Sequence, residues 1–117
     1  MMDLGSDKVF IACGATDLRK SIDGLAAIVQ LQFQLDPFSS AWFVFCNYGR
    51  DRIKILRWDH NGFWLYYRRL ERGHFRWPDT KNGNVQAVSR RQLQWLLDGL
   101  ILEQKKAFSE VKICVAV

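Results

Sequence analysis

The sequence lacks the residue groupings that most metal, redox and catalytic sites need. Its three cysteines, Cys13, Cys46 and Cys114, are odd in number, far apart and never in a Cys-x-x-Cys pair, and its two histidines, His60 and His74, stand in turn-forming stretches. A zinc centre needs close cysteine pairs, or histidines at ligand spacing. The cysteines therefore read as reduced thiols, and neither metal nor cofactor is expected. The twelve acids form no trio with a common face: Asp17 and Asp23 fall on a helix among basic neighbours, and Asp36, Asp59 and Asp79 fall in turns. Two-metal strand-transfer chemistry requires clustered carboxylates. A turn accounts for Asp59-His60, the one acid–histidine neighbour pair, and Asp51 reads as a local charge partner of Arg50 and Arg52. With no glycine-rich phosphate loop and no nucleophile elbow, a non-enzymatic protein is expected.

Long apolar runs are missing too. None approaches the ~20 residues of a membrane helix. Met1 to Lys8 is acidic and polar, without the basic start and apolar stretch of a signal peptide. The expectation is a soluble, cytoplasmic protein with no membrane partner.

What is present is a core and a concentrated positive charge. With 117 residues and 49% apolar content, the chain is expected to form one domain, its core at about 8–102 and a tail at 103–117. Net charge is +5, but it is unevenly placed. Residues 50–91 carry eleven bases against four acids, while residues 1–49 sum to −2 and residues 92–117 to zero. A patch of that kind favours an anionic partner. Nine of the eleven bases are arginine, whose planar fork suits bidentate phosphate contacts. Arg50, Arg52, Lys54, Arg72 and Arg76 are candidate nucleic-acid contacts on this ground.

Val9 to Cys13 reads as a short strand before Gly14. Thr16 is placed to cap a helix from Asp17, with Leu18, Ile22, Leu25, Val29 and Phe33 as one apolar stripe, Arg19 and Asp23 paired on its flank, and Asp36-Pro37 as its stop. Trp42 to Cys46 reads as a strand. Arg52 to Trp58 and Phe63 to Leu70 form a hairpin through Asp59-His60-Asn61-Gly62, since Asn-Gly tolerates positive φ. His74 to Trp77, ended by Pro78, and Val85 to Val88 read as further strands. Ser89 and Gln92 make a capping box for a helix with Leu93, Leu96, Leu97 and Leu100 on one face. The expected class is α+β: an antiparallel meander of about five strands, a helix in the N-terminal half and a C-terminal helix. In the tail, Val111, Ile113, Val115 and Val117 alternate with other residues, a pattern that fits an edge strand on this sheet or on a second copy's, so a dimer through the tail is one expectation.

Alternation along the hairpin sorts its side chains. Leu56 and Trp58 share a face with Phe63, Leu65 and Tyr67, while Ile55 and Arg57 share the other with Trp64, Tyr66 and Arg68. The second face mixes rings and guanidinium groups, as a surface for stacked bases and phosphates would. The same pattern also fits Trp64 and Tyr66 lying under a helix while the arginine heads reach solvent. Arg90-Arg91 directly follows the cap Ser89, where the helix dipole prefers acids; a bound phosphate would relieve that conflict, and a tolerated surface pair is the other reading. Arg19-Lys20 stands in the first turn of the earlier helix, beside Asp17.

Several segments together resemble one family. They are Gly14 to Lys20 with Ile22 to Ala26, Asp36 to Ser39, Phe43 to Phe45, Arg52 to Leu56 with Trp58-Asp59, Gly62 to Trp64, Arg69 to Glu71, Phe75 to Pro78 and Gln92 to Leu97. In order and spacing they resemble the TnpB accessory proteins, the second reading frame of bacterial insertion sequences of the IS sixty-six type, over about residues 10–100. The resemblance implies a bacterial protein encoded beside a separate DDE-type transposase and needed for efficient transposition. It carries over no catalytic residue, and it makes Arg19-Lys20, within the strongest motif, a candidate contact. The apolar end, Val111 to Val117, departs from the basic finish such proteins tend to have. Two functions follow as expectations: an accessory module that binds DNA, such as the insertion-sequence ends, or an adaptor that docks on the transposase.

Overall fold

The computed structural model describes residues 8–99. The tail with its expected edge strand, and Leu100, lie outside the described residues. Five strands form one sheet: β1 (Val9–Ala12), β2 (Trp42–Cys46), β3 (Arg52–Asp59), β4 (Gly62–Arg69) and β5 (Val85–Val88), in the order β4-β3-β2-β1-β5. Helix α1 (Ile22–Ala27) runs into one π-helical turn at Ile28–Gln32, and α2 (Arg90–Leu97) follows β5. The α+β class is as the sequence implies.

The meander covers β2 to β4 only. β1 enters between β2 and β5, antiparallel to β5 but parallel to β2, with Val9, Phe10 and Ile11 opposite Trp42, Phe43 and Val44. A parallel neighbour needs a crossover connection, and α1 with its π turn supplies it. The two central strands are buried on both faces, which is why they read as unbroken apolar runs.

Each face has its own core. On one, Leu25 and Val29 of the first helix pack on Ala12, Phe43, Phe45 and Leu56. On the other, Phe75, Trp77 and Leu96 pack on Val9, Ile11, Val44, Cys46, Ile53 and Val88. The apolar stripe of the first helix therefore lies where its spacing puts it, with Leu18, Ile22 and Phe33 partly buried at its ends. Its start differs. Ser21 occupies the N-cap, and residues 17–20 form a turn instead of the first helical turn. The Asp17 carboxylate accepts from the Arg19 backbone N–H (3.0 Å) and guanidinium (3.0 and 2.9 Å), so Arg19 pairs with Asp17 rather than with Asp23. That local bonding competes with helix formation, as aspartate side chains do.

His74 to Trp77 is extended but joins no ladder in the sheet. The Phe75 N–H donates to the Arg50 carbonyl (2.7 Å), and the Trp77 indole Nε1–H donates to the Ala12 carbonyl (2.9 Å). Phe75 and Trp77 are both buried, because the segment lies over the sheet as a lid and turns both rings inward.

The hairpin has the expected strands and a two-residue loop, since Asp59 pairs with Gly62. Gly62 is thus the first residue of β4, and the positive φ (59°) falls on His60 instead, with the Asn61 N–H donating to Asp59 O at 2.6 Å. The capping box of α2 forms in both directions: Ser89 Oγ accepts from the Gln92 N–H (3.0 Å), and Gln92 Oε1 accepts from the Ser89 N–H (2.9 Å).

Candidate functional site

The hairpin register sets Arg57 opposite Trp64, Ile55 opposite Tyr66 and Ile53 opposite Arg68, all on the face that carries α2. The same face of β2 presents Trp42. There the rings form a ladder. Trp42 stacks on Tyr66 at 5.8 Å between centroids and 26° between planes, and Tyr66 stacks on Trp64 at 6.0 Å and 13°. Offset stacking at such distances is favourable for aromatic pairs. The Trp64 indole Nε1–H donates to the Asp59 carboxylate (3.1 Å), which fixes that ring in place.

Two cations flank the inner end of the ladder. The guanidinium carbon of Arg57 lies 4.5 Å from the Trp42 ring centre, and that of Arg90 lies 5.9 Å away. Both fall within reach of a cation–π interaction. α2 delivers Arg90 from the opposite edge of the sheet, because its cap at Ser89 starts the helix just after β5 while Leu93, Leu96 and Leu97 hold it down on the same face. Beside Tyr66, a groove of about 380 Å³ runs between the sheet and α2, with Ile55, Leu93 and Leu97 among its walls and Arg68 and Arg90 lining it.

Exposure divides these residues. Trp64 is 54% exposed and Tyr66 41%, so neither ring is covered by a helix, whereas Arg57 is 8% exposed and belongs to the packing. Of the residues expected from sequence, Arg57, Trp64, Tyr66, Arg68 and Arg90 meet on this surface. Trp42 completes it and is hidden in sequence by its apolar strand, because what sets it beside Arg57 is the pairing of two separate segments.

The others lie elsewhere. Arg19, Arg52 and Lys54 line a cleft of about 850 Å³ with Tyr48 and Tyr67. Lys54 is committed there: its ammonium donates to the Leu18 carbonyl (2.7 Å) and the Lys20 carbonyl (3.0 Å), which ties down the turn bearing Arg19 and Lys20. Asp17 is held by the Arg19 hydrogen bonds with its carboxyl lowered to about 2, so Arg19 carries its counter-charge with it. Arg50 and Arg76 line a separate hollow with Phe75 and Asp79, Arg72 is exposed in the loop after β4, and Arg91 is exposed on α2.

The carboxylates have local structural bonds. Asp51 accepts from the Asn47 side-chain amide (2.7 Å), which lowers its pKa, and the charge of Arg52 lowers it further as a lesser cause. Asp36 and Asp79 accept from the backbone N–H groups of Phe38 and Lys81. Among the described residues, no three His, Cys, Asp or Glu gather where they could hold a metal ion. No described helix is long and apolar enough to cross a membrane.

The family model described as IS66 Orf2 like protein matches residues 7–107. Two curated proteins of Sinorhizobium fredii (strain NBRC 101917 / NGR234) are similar over 93 residues: uncharacterized protein y4hO at 38% identity, covering 80% of each chain, and uncharacterized protein y4jC at 31%, covering 80% of this chain and 79% of its own. No solved structure matches.

Proposed function

The chain belongs to the IS66 Orf2-like family of insertion-sequence proteins, and on that premise we propose that it is a non-catalytic accessory protein of transposition that binds DNA through the ring ladder beside α2. The observation that carries the reading is the meeting of Trp42, Tyr66 and Trp64 with the guanidinium groups of Arg57 and Arg90, with Arg68 on the same face. Stacked rings bind base faces, worth about 1–3 kcal/mol for each base, and the exposed Arg68 and Arg90 bind phosphates while the buried Arg57 supports Trp42 from within. The protein acts by holding a strand, while bond breaking falls to the separately encoded transposase.

Filter binding of DNA from the insertion-sequence ends, as duplex and as separated strands, tests this. Affinity should fall steeply with salt, and Arg68→Ala should weaken binding on all sequences alike and reduce the salt slope by about one. Failure to bind any of these DNA forms at low salt would refute it.

A second reading, an adaptor that docks on the transposase, draws on a different observation. β4 is an eight-residue edge strand of the sheet, and the groove beside it is mostly apolar. Such an edge accepts an added strand from a partner. Co-purification with the transposase that survives nuclease treatment and high salt, and is lost on Tyr66→Pro, would favour it.

A further inference from the structure

We infer that this surface selects unpaired DNA over duplex, stacking one base on the exposed end of the ladder at Trp64 and seating another in the groove beside Tyr66. The inference rests on the DNA-binding reading above and names its substrate.

A duplex hides the base faces that such a surface would bind. Its base faces are already stacked on one another, so a protein meets phosphates and groove edges. A row of exposed rings gains little from either. An unpaired strand offers free base faces, and proteins that bind such strands combine stacking rings with cations that track the backbone. Here Trp64 is more than half exposed, and its ring lies nearly parallel to that of Tyr66. Its indole N–H is already used by Asp59, so the ring is presented in a fixed orientation instead of reaching for a hydrogen-bond partner. Holding a ring rigid lowers the entropy lost on binding.

The groove adds a second feature. At about 380 Å³ it falls in the size range of small-ligand pockets. Apolar Ile55, Leu93 and Leu97 form its walls, Tyr66 its side, and Arg68 and Arg90 supply positive charge. A flat, unpaired base fits among the apolar walls while its phosphate meets the guanidinium groups. A base still paired in a duplex cannot enter without being flipped out, which costs unstacking and unpairing energy.

The test uses the full-length protein and two fluorescent probes, a single strand of mixed sequence and the duplex of the same sequence, read by anisotropy. The single strand should bind at least tenfold tighter and quench tryptophan emission. Trp64→Ala should weaken single-strand binding by roughly tenfold, the scale of one lost stacked base. Trp64→Phe, which keeps a ring, should restore most of that loss, and Arg68→Ala should weaken both probes. Trp64 is exposed, so its variants should keep the fold, and urea denaturation midpoints serve as the folding control. Duplex bound as tightly as single strand, or a single strand indifferent to Trp64→Ala, overturns the inference and leaves the DNA-binding reading standing. Binding of neither probe overturns both.

Discussion

The Arg57 guanidinium carbon stands 4.5 Å from the centre of the Trp42 ring, and Arg57 itself is 8% exposed. Strand alternation groups Arg57 with Arg68 as equals on one face. Burial separates them: Arg57 spends its charge on a ring within the protein, while Arg68 stays exposed. A desolvated cation–π contact contributes about 2 kcal/mol, and the arginine stem adds packing.

Arg57→Ala should therefore lower stability by about 1–3 kcal/mol in urea denaturation, whereas Arg68→Ala should stay within about 0.5 kcal/mol of the parent. Arg57→Met, which keeps the stem, should fall between the parent and the alanine variant. Equal stability of Arg57→Ala and Arg68→Ala would show that the ring contact contributes nothing to the fold.

A second expectation concerns Arg19. Its bidentate contact with Asp17 lowers that carboxyl to about 2. The folded value lies below the ordinary carboxylate range, so any stabilisation from this pair is present at neutral pH and is lost as pH falls through about 2. Both groups are at the surface, where such pairs contribute little. The check is an NMR titration of the Asp17 side chain, whose midpoint should rise in Arg19→Ala but stay below the free value of about 3.9, since the backbone N–H of residue 19 still donates to the carboxylate. Because its charge is offset by Asp17, Arg19→Ala should weaken DNA binding less than Arg68→Ala does. A larger loss would move the interface to the cleft around Arg52 and Tyr67.

Cys46 is fully buried in the core that Phe75, Trp77 and Leu96 close, and burial pushes its thiol up to about 12. Cys13 is raised as well, by partial burial and by Asp79. The thiolate is the reactive form. Alkylation of the native protein at pH 8 should therefore leave Cys46 unmodified while the unfolded chain reacts, as peptide mass mapping would show. Rapid modification of Cys46 in the native state would contradict its packing.

Much of this architecture is legible in sequence because it is local. Asn61-Gly62 marks the hairpin, and alternation around it assigns Arg57, Trp64, Tyr66 and Arg68 to one face. Ser89 and Gln92 announce α2. What stays hidden depends on contacts between distant segments. Trp42 reads as core because Trp42 to Cys46 is apolar throughout, and it becomes part of the site only when α2 brings Arg90 across the sheet. Likewise β1 carries no mark of its parallel partner, since pairing follows from the crossover through α1 and not from its own periodicity. The turn at Asp17–Lys20 is read as helix because the stripe begins at Leu18, and side-chain bonds from Asp17 override it.

The segment around Trp77 supplies the last prediction, because it looks like a strand and acts as a lid. Phe75 and Trp77 meet edge to face at 6.2 Å and close the core beneath α2. The Trp77 indole also gives Ala12, at the end of β1, a hydrogen bond of 2.9 Å in a buried place. The next residue fastens the segment from the other side, since the Pro78 carbonyl accepts from the Gly14 N–H at 2.9 Å. Trp77→Phe keeps an aromatic ring but leaves the Ala12 carbonyl without its indole donor, which should cost about 1–3 kcal/mol. Trp77→Ala removes the ring as well and should cost about 3–5 kcal/mol. Since Leu96 shares this core, the alanine variant should also loosen α2, carry Arg90 away from Trp42 and weaken DNA binding, whereas the phenylalanine variant should bind nearly as the parent does. Urea denaturation and anisotropy on the same samples give both readings. A phenylalanine variant as stable as the parent would mean that the indole hydrogen bond to β1 is dispensable, and that the lid is held by its rings alone.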